Sequence, residues 1–73
     1  MESAAFKKLV SFFGAERAKS LTDETLEQLG LRSLDSAEDR LRFGEALIRR
    51  GGVLEAVGRS IKIQAILNGA REA

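Results

Sequence analysis

The chain has 73 residues, no cysteine, no histidine and no proline, and a formal net charge of +1. That length holds one domain (1–73) with one small core, which rarely nets more than about 3–5 kcal/mol of stability. The missing Cys and His exclude thiolate nucleophiles, disulfides, the usual zinc ligands and the commonest general base, so stability rests on packing alone.

By halves the charge is −2 over residues 1–38, with five bases and seven acids, and +3 over residues 39–73, with seven bases and four acids. An imbalance this mild belongs to solvated faces. The opening segment carries Glu2, Lys7 and Lys8, and its apolar run extends only from Leu9 to Phe13 around Ser11. It is expected to be neither a leader nor a membrane span, and the protein to be cytoplasmic.

The absence of proline, the few β-branched runs and the many strong helix formers predict an all-α fold, a small bundle of three main helices plus one or two short ones. A first helix is expected over Ser3 to Phe13, with Phe6, Leu9, Val10 and Phe13 on one stripe and Gly14 as its stop. Phe6, Phe12 and Phe13 read as core. A loop through Ala18, Lys19 and Ser20 leads to a short helix with Thr22 as N-cap, Asp23 and Glu24 at the positive end of its dipole, and Leu21 stapled onto Leu26. Gly30 at the C′ position ends it, with Leu31 packing back on Leu26.

The next helix is expected to begin near Ser33 to Asp35, where Asp35 and Glu38 have capping-box spacing behind Leu34, and to reach Arg50 before Gly51 and Gly52. Its apolar stripe is Ala37, Leu41, Phe43, Gly44, Leu47 and Ile48, with Glu38, Arg42, Glu45 and Arg49 opposite. Arg40 falls inside the apolar arc, either with its stem snorkelling over the core or as a partner-binding cation beside the serine turn.

From Val53 to Asn68 the pattern doubles: Val53, Val57 and Ile61 make one stripe, and Ile63, Ile66, Leu67 and Ala70 another on a different face. One small core does not cover both, so Gly58, Arg59 and Ser60 are expected to break the segment into two helices. The alternative is one continuous helix buried on its second side by a copy or a partner. The alternation from Ile61 to Ala65 has the period of a strand but no partner strand in the chain. The expected core is Phe6, Leu9, Val10, Phe13, Leu26, Leu29, Leu41, Leu47, Val57, Ile61 and Ile66, in a monomer.

Chemistry-bearing constellations are few. Ser33 has no base to activate it, since the chain lacks His and the neighbouring ionisable groups are acids and arginines. Glu24, Glu27, Asp35, Glu38 and Asp39 lack the spacing of a calcium loop and read as first-turn acids, so no metal is expected. No phosphate-binding glycine motif occurs. Arg49, Arg50, Arg59, Lys62 and Arg71 cluster late around a Gly-Gly turn, yet apolar residues follow that turn where a DNA-reading helix would be polar, so no nucleic-acid partner is expected. A hydroxyl near the head of a helix is, however, a place to attach or bind an anion.

The run Leu29-Gly30-Leu31-Arg32-Ser33-Leu34-Asp35-Ser36-Ala37-Glu38 resembles the Leu-Gly-x-Asp-Ser-Leu-x-x-x-Glu attachment motif of acyl carrier proteins, whose serine carries 4′-phosphopantetheine. The opening Phe6-Lys7-Lys8-Leu9-Val10, the closing Gln64-Ala65-Ile66-Leu67-Asn68-Gly69 and the total length are similar to that family too. The resemblance implies an acyl-carrier-like bundle, Ser33 as the attachment residue, Leu34 as its packing neighbour, and Asp35 and Glu38 as acidic recognition residues. Arg32 stands where the family carries Asp, which puts a reversed charge at the contact with the modifying transferase. The implied function is a non-enzymatic carrier holding acyl groups as thioesters on the phosphopantetheine arm, for fatty-acid or polyketide-type biosynthesis. Its implied partners are a phosphopantetheinyl transferase and acyl-transferring or condensing enzymes.

A second stretch, Leu21-Thr22-Asp23-Glu24-Thr25-Leu26-Glu27-Gln28-Leu29-Gly30-Leu31 followed by Arg40-Leu41-Arg42-Phe43 and Ala46-Leu47, resembles the latter half of a sterile-alpha-motif domain. That resemblance implies a helical protein-interaction module with no prosthetic group. An unmodified adaptor on the carrier fold is a further alternative.

Overall fold

A single residue separates the first two helices. In the computed structural model, which describes residues 4–71, α1 (Ala4–Phe13) and α2 (Ala15–Leu29) meet at Gly14, whose φ of 83° turns the chain. The start of α1 agrees with expectation from Ala4 onward, and Ser3 lies outside the described residues. The loop expected at Ala18 to Ser20 is helix instead. Glu16, Arg17 and Lys19 are good helix formers, and Ala18 is fully buried, so both propensity and packing continue the helix.

Thr22 is therefore an interior residue rather than an N-cap: it is buried, and its Oγ1 has no hydrogen-bond partner among the described residues. Thr25 Oγ1 instead donates to the Leu21 carbonyl at 2.7 Å, the usual resort of a hydroxyl inside a helix. The far end of α2 follows the sequence reading. The Leu31 N–H donates to the Leu26 carbonyl at 2.9 Å and the Gly30 N–H to that of Glu27 at 3.2 Å, the two bonds of a Schellman stop.

α3 (Ala37–Arg50) starts later than Ser33 to Asp35, because the cap is Ser36, whose Oγ accepts from the Asp39 N–H at 3.0 Å. The capping pair is thus Ser36 with Asp39, one residue on from the expected Asp35 with Glu38. The serine oxygen, one position nearer the helix, satisfies the Asp39 N–H, where an Asp35 cap would have taken that of Glu38.

α4 (Gly52–Leu67) is one uninterrupted helix, and the break expected at Gly58 to Ser60 is absent. Gly58 serves another purpose. A Cβ there would stand 2.6 Å from the Gly44 carbonyl oxygen, and a Cβ on Gly44 would stand 2.8 Å from the Gly58 carbonyl oxygen. The two glycines let the backbones of α3 and α4 touch, and these two helices form the most extensive pairing in the molecule.

The architecture is the expected small all-α bundle, of three longer helices, α2, α3 and α4, and the shorter α1, with no strand among the described residues. Phe43, Leu9, Leu47, Ile61 and Val57 fill its centre together with Ala5, Ala18 and Leu34. Phe6, Val10, Phe13, Leu26 and Leu29 pack against this centre half-buried. Leu41, Ala65 and Ala70 form a second cluster at the end where α3 begins and α4 finishes. Two expectations fail: Phe12 is 61 % exposed and Ile66 40 % exposed. Phe12 stands on the last turn of α1, with its ring 6.4 Å from that of Phe13. Ile66 lies on the outer side of an α4 that never bends to turn it inward.

Candidate functional site

The serine turn is the first candidate. Residues 30–36 run without helix between α2 and α3, and Leu34 anchors them, 95 % buried against the core. Arg40 secures them from the helix side: its Nη1 donates to the carbonyls of Leu34 and Asp35, both at 2.9 Å. Neither expected role for Arg40 describes this placement fully, since the guanidinium closes the loop onto the first turn of α3. Its Nε is buried with no hydrogen-bond partner among the described residues.

Ser33 is half-buried and donates to Asp35 Oδ2 at 2.9 Å. It lies three residues before the N-cap, so the orphan N–H groups and the positive dipole end sit at Ala37 and Glu38 rather than beside its hydroxyl. Of the site residues expected from sequence, Ser33, Leu34, Asp35 and Arg40 converge in one bonded turn. Arg32 and Glu38 are exposed on either side of it. No group of acids suited to a metal occurs among the described residues.

Two concavities accompany these elements. A cavity of about 10 Å³, lined by Ala4, Ala5, Lys8, Arg40, Ile61 and Gln64, has room for about one water. A shallow groove of about 480 Å³ lies open between α2 and the end of α3, where Arg50 pairs with Glu24 at 3.5 Å.

The second candidate is a face that the expected break concealed. α4 turns Val57, Gly58, Ile61 and Ala65 inward. Its opposite side exposes Val53 (64 %), Ile63 (60 %) and Leu67 (77 %), with Ile66 beside them. Large aliphatic side chains exposed in a row mark a contact surface more often than singly scattered ones do. Charged groups frame the row: Lys8 Nζ donates to Ser60 Oγ at 2.7 Å from α1, and Arg59 pairs with Glu55 at 3.6 Å along α4. Of the two stripes read from the sequence, Ile63, Ile66 and Leu67 of the second lie on this face, but Val53 of the first joins them and Ala70 of the second is buried instead, packed with Leu41 and Ala65. No helix among the described residues is long and apolar enough to cross a membrane.

Comparison of the chain with protein-family models, with curated proteins and with solved structures finds no match.

Proposed function

We propose that this chain is a non-enzymatic, helical protein-interaction module that docks through the outward face of α4. One observation carries the reading. An unbroken α4 turns Val57 and Ile61 into the core and leaves Val53, Ile63, Ile66 and Leu67 outside. A core of this size has little stability to spare, so apolar side chains held out of it carry no folding benefit. A photo-crosslinking residue at position 63 is expected to give a discrete adduct in extracts of the source cell, and one at position 23, exposed on α2, to give none. Adducts at both positions or at neither would overturn the reading.

The carrier reading is the second. It is supported by the hydroxyl of Ser33 standing on a turn pinned by buried Leu34 and by Arg40, with Asp35 beside it. On that reading Ser33 carries the 4′-phosphopantetheine arm, Arg32, Asp35 and Glu38 face the transferase, and acylation is performed by partner enzymes. Intact mass after incubation with coenzyme A and a broad-specificity phosphopantetheinyl transferase separates the two. A holo-sized gain lost in Ser33→Ala establishes the carrier, and an unchanged mass leaves the interaction module.

A further inference from the structure

The outward face of α4 has a period that selects its occupant. Val53, Ala56, Ser60, Ile63 and Leu67 are spaced alternately three and four residues apart, the a/d spacing of a seam that receives another helix. Ser60 is half-buried, and the other four are exposed. With 16 residues in α4, the seam runs about 24 Å, enough for two heptads of a neighbour.

Charge selects which helix. The bond to Ser60 holds the Lys8 ammonium at the middle of the seam on the α1 side. Arg59 borders the same level on the other side, at the flanking position where coiled-coil partners exchange charges. Lys8 and Arg59 are the cations beside the seam, with Glu55, the single acid of α4, paired to Arg59 at 3.6 Å, while Lys62 of the same helix is paired with Glu45 of α3 at 3.6 Å. A second copy laid on this face seam to seam would oppose cations to cations, which costs affinity and slows encounter. Resting on the reading that α4 is the docking face, we infer that its occupant is an amphipathic helix of another protein, with an apolar seam bordered by acidic side chains at the level of Lys8 and Arg59.

The test uses two synthetic three-heptad helices with the same leucine seam, one flanked by glutamates and one by lysines, titrated against the full chain by fluorescence anisotropy. The glutamate helix is expected to bind at least about tenfold more tightly, and to weaken about tenfold as NaCl rises from about 0.05 to 0.3 M. Ile63→Asp, at an exposed position that leaves the fold intact, is expected to abolish binding. The double reversal Lys8→Glu with Arg59→Glu is expected to exchange the preference between the two helices. Equal binding of both helices, lost in Ile63→Asp, would overturn the acidic partner and keep the docking face. Self-association in sedimentation that Ile63→Asp removes would do the same, with a second copy as occupant. Binding to vesicles of phosphatidylglycerol and phosphatidylcholine but to neither helix would overturn both the inference and the protein-interaction reading. No binding to either helix, with no effect of Ile63→Asp on anything measured, would overturn both as well.

Discussion

Gly44 and Gly58 face each other across the α3–α4 crossing so closely that neither has room for a methyl group. The Gly58 position is 2.6 Å from the Gly44 carbonyl oxygen and 2.8 Å from the Ile48 nitrogen when a Cβ is placed there. Both obstacles are backbone, which yields less readily than a side-chain tip. Helix propensity alone says that Gly58→Ala should gain about 1 kcal/mol. The crossing says the reverse, a loss of about 1–3 kcal/mol from overpacking. Urea unfolding decides by the sign, and a stabilised Gly58→Ala would mean that α3 and α4 stand further apart.

The continuity of α4 is tested by two isoleucines five residues apart. Ile61 is fully buried, so Ile61→Ala is expected to cost about 2–5 kcal/mol, a large part of the stability of so small a domain. Ile66 is 40 % exposed, and Ile66→Ala is expected to cost less than about 1 kcal/mol. Similar, large losses at both positions in thermal or urea unfolding would restore the bend at Gly58 to Ser60.

Arg40 fastens the serine turn through two charge-assisted bonds to backbone carbonyls. Removing them in Arg40→Ala is expected to cost about 1–3 kcal/mol, towards the lower end because the side chain is only half-buried. Amide exchange over residues 31–36 is expected to quicken more than exchange in α1 or α4. Unchanged protection in that turn would show that Leu34 alone secures it.

The cap of α3 is decided between two neighbouring side chains. Ser36→Ala is expected to lose about 1 kcal/mol, whereas Asp35→Ala, at a position that caps nothing, is expected to change stability by no more than about 0.5 kcal/mol. The opposite ranking would return the N-cap to Asp35.

Much of this was legible beforehand. Helix stops marked by glycine were read correctly, at Gly14, Gly30 and Gly51, because a positive φ is a local demand that glycine meets. The core stripes of α1 and α3 follow from period alone. What failed were the places where a residue type has two uses. Thr22 has the look of a cap but sits inside α2, because the alanines and charged helix formers before it carry the helix through. Gly58 has the look of a breaker, but its lack of a side chain serves contact with Gly44, a partner fourteen positions away that no local pattern reveals. The serine turn was found as a motif, while its distance from the helix start depended on which of two adjacent residues, Asp35 or Ser36, takes the cap. Of the outward seam of α4 only Ile63 and Leu67 were visible in the second apolar stripe, and the continuity of the helix is what adds Val53, Ala56 and Ser60 to it.

The docking face of α4 is tested most directly by mapping backbone amide shifts of the nitrogen-15-labelled chain during titration with the glutamate-flanked helix. Shifts are expected at Val53, Ala56, Ser60, Ile63 and Leu67 and at Lys8 of α1, with the amides of residues 30–36 unmoved. Shifts centred on Arg32 to Asp35, or spread evenly over all four helices, would contradict it.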